Sequence, residues 1–396
     1  MSVTNLYIVQ EDETFDIHIQ NNRIVSTKKI VKPPDDATVL SFNNTVVFPG
    51  IINSHDHLDF NLFPQLGSGV HEDYTEWAKH IHTNYKHTIE AVLQIPQALR
   101  IQWGLYKNLI CGVTTVINHG LPIDYDTALI DIFQDYQSLH SVAFEDNWRL
   151  KLNNPFNLHQ NVGIHIGEGT SLKASNEIDK LINNNYLKRR LIGVHGVAMT
   201  KQQARHFEAL VWCPASNYFM FNKTAAVDKL KAATKIVFGS DSTLTSDWNI
   251  WQHIHLAQQT GLLTNEELFN SLTSTPASVW KLKDTGKIEQ NFIADIIVAN
   301  KKKLNNIDAA LAVLPEDILL VIKNGVIKLF DACMLPQLKQ PDIQLGDYSS
   351  IHVEGCVKYV SGNITKLMSG IKEYYPQIKL PVSIAHSKET ANVNAF

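Results

Sequence analysis

The 396-residue chain predicts an α/β fold: a TIM-like (β/α)8 barrel with a reduced fourth-strand region, joined to a small β-sandwich domain. Three observations predict it. Short apolar runs alternate with amphipathic stretches between residues 46 and 284, the pattern of a mostly parallel sheet. That span is close to the roughly 250 residues such a barrel uses. Histidine or aspartate closes several of the apolar runs, and β-prone segments lie on both sides of the alternating region. The predicted division is therefore residues 1–48 and 285–331 for the small domain, 49–284 for the barrel, and 332–396 for a C-terminal extension without an assigned role.

The first part reads as short strands. Leu6–Val9 and Phe15–Ile19 are small apolar runs, Asn21-Asn22 is a hairpin-like turn, and Pro33-Pro34-Asp35-Asp36 marks a loop. From Thr45 the chain reads TVVFPGIINSHDHLDF, and the second apolar run delivers His55 and His57. Residues i and i+2 of a strand share a face, so the two imidazoles can aim at one point. Alone, a His-x-His more often just ends a strand. Here it has company downstream.

Helices are expected over 74–87 and 89–109. The strand Val113–Asn118 then delivers His119, a helix is expected over 124–136, and a strand over 141–144. Gly163-Ile164-His165 closes another run. A helix over 171–185 precedes the strand Leu191–Val194, which delivers His195. Leu210–Cys213 is closed by Pro214, and Lys235–Phe238 leads to Gly239-Ser240-Asp241-Ser242. His55, His57, His119, His165, His195 and Asp241 thus all stand at expected strand ends, where such a barrel carries its chemistry. After residue 284, Ala294–Val298 and the pair Ile318–Ile322 and Val326–Phe330 about Asn324-Gly325 read as strands that join the N-terminal ones. A helix is expected over 364–374, bounded by Pro376.

Composition excludes several classes. Hydrophobic residues make up 44% and charged ones 19%, which fits an ordered globular protein rather than a disordered one. A formal net charge of −4 gives no basic field for nucleic acid or an anionic membrane. No secretory leader is evident at the start and no apolar run approaches the length of a membrane span. Cys111, Cys213, Cys333 and Cys356 are scattered, with no CxxC pair, as expected of reduced thiols in a cytoplasmic protein. The expected partner is a small-molecule substrate, with homo-oligomerisation as a general prior.

Three histidines and an aspartate from separate strand ends can hold one divalent transition metal, zinc or alternatively iron, with a position left open. Such a cation lowers the pKa of water toward neutrality, and hydrolysis then needs a base for the water and an acid for the leaving group. Glu168, three residues after His165, is placed to act on a substrate held there.

The segments PGIINSHDHL, HIGEG, VHG, WCPASN and GSDS resemble the motif set of the amidohydrolase superfamily. His165-x-x-Glu168 and Cys213-Pro214-x-Ser216-Asn217 are most similar to its branch of cytosine and guanine deaminases, triazine hydrolases and imidazolonepropionase. The resemblance spans residues 1–331, including ADIIV and KNGVI. It implies that His55, His57, His165 and Asp241 bind one metal ion. His195 would orient the water, Asp241 would also take its proton, and Glu168 would hold the water and protonate the ring or leaving nitrogen. Asn217 would help shape the substrate pocket, with Trp248 and His119 as further candidates for substrate contact. Residues 141–145 offer no lysine to bridge a second metal.

The expected function is an aminohydrolase acting on a C–N bond of a small nitrogen heterocycle. A cyclic-amide hydrolase of the imidazolonepropionase type is the first alternative. A catalytically silent metal-binding scaffold is the second, disfavoured by the intact Glu168 and His195. One departure stands out: only residues 119–165 separate the second strand from the fifth, where the resemblance implies two β/α units.

Overall fold

A computed structural model describes residues 1–9, 14–28, 38–120, 122–123, 129–338 and 344–385. Two parallel sheets carry the site. One runs β1 (Ile51–Asp56), β2 (Val113–Asn118), β3 (Asp131–Phe133). The other contains β4 (Gln137–Ser141), β5 (Val162–Ile166), β6 (Leu191–His195), β7 (Phe207–Trp212) and β8 (Lys235–Phe238), paired in that order. The residues of β1, β2, β5 and β6 are all buried, as parallel strands covered on both faces are. The sheets meet where β8 ends: Asp241 N–H donates to the His55 carbonyl at 3.0 Å, and Asp56 bridges Asp241 in parallel.

The far side departs from the expectation. The described part of the segment expected as a helix over 124–136 is extended, and residues 124–128 lie outside the described residues. Thr115, Val116 and Ile117 pair with Asp131, Ile132 and Phe133, so cross-strand bonding with β2 fixes this short piece as β3. Only Gln134, Asp135 and Tyr136 separate it from β4, with no helix between. The expected strand over 141–144 is likewise corrected. Ser141 ends β4, and its Oγ and carbonyl accept from the N–H groups of Phe144 and Glu145, which turns the chain away. The compressed 119–165 stretch thus supplies two short parallel strands joined by a tight link.

Between β1 and β2 stand three helices: α1 (Tyr74–Asn84), α2 (Lys86–Leu93) and α3 (Gln97–Ile110). The two helices expected over 74–87 and 89–109 are broken at Tyr85 and at Pro96. Proline cannot continue a helix and biases the residue before it away from helical geometry. Asp73 caps α1, its side chain accepting from the N–H groups of Thr75 and Glu76.

Among the described residues, the small domain and the C-terminal extension share one hydrogen-bonded sheet of eleven strands. Strand Thr45–Pro49 bonds to Ser2–Ile8 on one side and to Ile296–Asn300 on the other, so no break separates the halves. Both halves line one apolar cluster, with Leu6, Ile17 and Ile24 from one and Val298, Leu320 and Phe330 from the other. Strand Thr45–Pro49 is wholly buried because alternate residues face two cores. Val47 points into the small cluster, while Phe48 points toward Trp251, at 6.0 Å between ring centroids. The Asn324-Gly325 hairpin forms as expected, both residues with positive φ of 51° and 74°. A Cβ on Gly325 would stand 2.1 Å from the Asn21 carbonyl of the other predicted hairpin, so glycine lets the two turns abut. The loop expected at Pro33–Asp36 lies outside the described residues. The C-terminal extension joins this sheet: Cys356–Ser361 pairs with Val326–Asp331, and Tyr348–Val353 pairs with Cys356–Ser361. Its helix, Ile364–Tyr374, falls where the sequence places it. Among the described residues no helix is long and apolar enough to cross a membrane.

Candidate metal centre and reaction pocket

β1 ends in His55 and Asp56, with His57 directly after it, and the alternation of the chain sends the histidines one way and Asp56 the other. His55, His57 and Asp241 offer ligand atoms that lie within 4.8 Å of one another, and so do His55, His165 and His195. The Nε2 atoms of His55 and His165 stand 3.1 Å apart. Asp241 Oδ1 lies 3.6 Å from Nε2 of both His55 and His57. Its other oxygen is already used: Ser216 Oγ and Thr245 Oγ1 donate to Oδ2 at 2.7 and 3.0 Å. The two hydroxyls therefore turn Oδ1 toward the histidines. Gly239 allows the approach of β8, since a Cβ there would stand 2.7 Å from the His55 Cβ. Gly239→Val is expected to push β8 off β1 and abolish stoichiometric metal retention, read by elemental analysis of purified protein. Full retention would refute this account of the glycine.

His195 and Asp241 both adopt positive φ, 71° and 60°. Non-glycine residues rarely do so, and such strain gathers at functional positions. His195 is held from behind. Asn217 Nδ2 donates to Thr224 Oγ1, so Asn217 Oδ1 faces His195 Nδ1 at 2.9 Å and accepts its proton. Nε2 is left free on the pocket side, 3.5 Å from Glu168 Oε1. Asn217 is fully buried and makes its contact with His195, behind the pocket.

The electrostatics divide the two carboxylates. Burial, with Asp241, Glu177 and Asp73 nearby, pushes the Glu168 carboxyl well above its usual range. Burial would raise Asp241 too, but its contact with His55 and the charges of His195, His55 and His57 outweigh this and hold it well below. Burial, reinforced by neighbouring imidazoles, lowers His57 to about 3 and holds His165 well below its ordinary value. Burial lowers His195 to about 4. The two carboxyls are thus shifted in opposite directions, Glu168 toward its protonated form and Asp241 toward its ionised form. Such a donor set fits a divalent metal ion, whose ligands must be deprotonated.

These depressed histidine values carry a stability prediction. Each group is neutral in the folded chain and takes up a proton on unfolding below 6.5, so its contribution is present above 6.5. It is lost as pH falls through the folded values of about 4 and about 3. The melting temperature of metal-stripped protein is expected to drop from pH 6.5 downward, and a flat profile between 6.5 and 4 would contradict the assignment.

The cavity above these groups measures about 650 Å³. His57, His165, Glu168, His195 and Asp241 line its floor, with α1 and α2 over it. A second cavity of about 630 Å³ is lined by His119, Gln134 and Gln137, and shares His57, Phe60 and His140 with the first. His119 lies 4.3 Å from His165 between ring centroids, but lines only this second cavity, and its buried Nε2 has no hydrogen-bond partner. Trp248 packs against the core and lines neither cavity.

Sequence reasoning missed what lies behind the ligand strand. Lys107 of α3 is 2% exposed and donates to Asp56 Oδ2 and Asn61 Oδ1, each at 3.0 Å. Asn108 Nδ2 donates to the same Asp56 oxygen at 2.8 Å, and Asn53 Nδ2 donates to Ser240 Oγ at 2.8 Å. The network ties β1, α3 and the end of β8 together. The available signal was a lysine among Trp103, Tyr106 and Ile110, on a helix that is otherwise buried there.

Residues 152–328 match the model of the Amidohydrolase family. That stretch, which carries His165, Glu168, His195 and Asp241, is similar to amidohydrolases, and the chain is read as a hydrolase acting on carbon–nitrogen bonds other than peptide bonds. It is 23% identical to the 5-methylthioadenosine/S-adenosylhomocysteine deaminase of Pyrococcus furiosus, over 76% of this chain and 87% of that one. Among solved structures, an adenosine deaminase from Xanthomonas campestris with bound zinc aligns with a TM-score of 0.66 at 15% identity, over 95% of this chain and 98% of that one. Atrazine chlorohydrolase from Arthrobacter aurescens, complexed with zinc, aligns with a TM-score of 0.65 at 14% identity, over 93% and 99%. At these identities the structural likeness is one of fold, a barrel of this type with a small domain.

Proposed function

We propose that the chain is a metal-dependent aminohydrolase that releases ammonia from a C–N bond of a small nitrogen heterocycle. One observation carries the reading: Glu168 and Asp241 line one pocket with His57, His165 and His195, Glu168 Oε1 3.5 Å from His195 Nε2 and Asp241 Oδ1 3.6 Å from Nε2 of His55 and His57. We also read the two parallel sheets as arcs of one eight-stranded barrel, which the Asp56–Asp241 bridge and the short link between β3 and β4 support.

His55, His57, His165 and Asp241 would hold one divalent cation, zinc or iron. When bound, that cation supplies the Lewis acidity that makes water a nucleophile near neutral pH. The ionised Asp241 Oδ1 accepts the proton that the attacking water gives up. His195, its Nδ1 proton fixed on Asn217, keeps Nε2 available as an acceptor on the pocket side. Glu168 gives its proton to the ring nitrogen as the tetrahedral carbon forms, and a proton to the departing amine makes ammonia. Deaminase names among the related proteins support this direction of chemistry. A coupled ammonia assay over aminopurines, aminopyrimidines, pterins and aminotriazines tests it. Turnover of a substrate without ammonia would replace deamination by ring opening of a cyclic amide.

A further inference from the structure

The floor and the roof of the reaction pocket differ in kind. The floor holds the polar groups. The roof comes from one face of α1, with Tyr74, Trp77, Ala78 and Ile81 at helical spacing, and from Ile89 and Leu93 of α2. Even its polar tips are already bonded elsewhere. Tyr74 Oη donates to Glu177 at 2.8 Å, and Trp77 Nε1 donates to the Leu66 carbonyl at 2.8 Å. Thr75 Oγ1 donates to Asp73. Phe144 packs edge-on against Tyr74 at 5.3 Å, and Phe63, Met220 and Leu244 line the cavity as well. Lys79 and His82 also line it but are exposed.

At about 650 Å³ the cavity falls in the roughly 300–1,000 Å³ range of sites that enclose drug-sized ligands. A bare ring on the floor would leave the apolar roof uncovered. We propose that the substrate is a nitrogen heterocycle bearing an uncharged apolar substituent, such as an alkyl, alkylthio or aryl group, which fills the space beneath α1 and α2. This rests on the aminohydrolase reading for the ring and adds the group attached to it. A carboxylate or polyhydroxy substituent would lose its water beneath Tyr74, Trp77, Ala78 and Ile81, whose polar tips are already bonded, and would meet Lys79 and His82 only where they are exposed.

The test uses the metal-loaded protein and five probes: adenine, 9-butyladenine, 4-(adenin-9-yl)butanoate, melamine and N-butylmelamine. Binding is measured by calorimetry and ammonia by coupled assay. Each buried CH₂ is worth about fourfold in affinity, so a butyl group is expected to bind about tenfold or more tighter than its bare ring, in at least one ring series. The butanoate is expected to bind no better than adenine. Ala78→Glu, which sets a carboxylate into the roof, is expected to erase the butyl advantage, and Ala78→Val to keep it. The proposal is overturned if butyl brings no advantage, if no probe binds, if the butanoate binds tightest, or if Ala78→Glu leaves the advantage intact. The two readings fail separately. A butyl preference without ammonia from any probe removes the aminohydrolase reading alone. Ammonia release without a preference removes the substituent alone.

Discussion

Glu168→Gln is expected to lower kcat by about 10²–10⁴-fold, the usual span for a lost general acid–base group. The side chain is nearly isosteric and the position is 7% exposed, so fold and cavity should persist. What disappears is a proton. Burial raises the Glu168 carboxyl well above its usual range, which favours its protonated form. The amide that replaces it can donate a hydrogen bond to a ring nitrogen but cannot transfer the proton. KM and metal content should change little, because the proposed ligands are His55, His57, His165 and Asp241. In the parent enzyme kcat should fall as pH rises through the raised Glu168 value, and the variant should lack that limb. A variant retaining more than about a tenth of kcat would remove Glu168 from the proton path.

Lys107→Met carries the largest expected effect on stability. The Lys107 and Asp56 side chains are 2% and 0% exposed, so both charges are shielded from solvent. Removing one partner of a buried pair leaves an uncompensated charge and costs about 3–5 kcal/mol. The loss should reach the metal as well. Asp56 sits between His55 and His57, so its anchor sets where both imidazoles point. Loss of such an outer partner typically lowers metal affinity about 10–100-fold. Chemical denaturation and metal titration measure the two effects. Lys107→Met combined with Asp56→Asn should recover part of the stability, because the buried carboxylate is gone. A double variant as unstable as the single one would show that Lys107 acts through packing alone.

The clustering of the candidate ligands was legible because a strand alternates. A period of two fixes the face of a histidine, and a strand end fixes its height, so His55, His57, His165, His195 and Asp241 could be placed together from spacing. Asn324-Gly325 was legible because its turn demands positive φ. Other features depend on partners distant in sequence. Asp131–Phe133 is too short to show a period, and only pairing with Thr115–Ile117 makes it a strand. Ser216 and Thr245 aim Asp241 through hydroxyls that look like any other serine and threonine. Lys107 reads as an exposed charge until α3 brings it to Asp56. Strands Tyr348–Val353 and Cys356–Ser361 matter through their addition to Val326–Asp331.

The continuous small sheet sets an order on folding. Thr45 pairs with Asn300 and Pro49 with Ile296, so an early segment of the chain waits for one made much later. On a ribosome, Ser2–Ile8 and Thr45–Pro49 emerge long before Ile296–Asn300 can cover their edge, and the strands over 348–361 come later still. Such long-range closure is slow, and an uncovered strand edge is a template for association. The apolar N-terminal strands must therefore stay apart from one another on neighbouring chains until Ile296–Asn300 has been made. Growth conditions that slow translation between residues 49 and 296 should lengthen that exposed interval, and the earlier-made strands would bear its consequences.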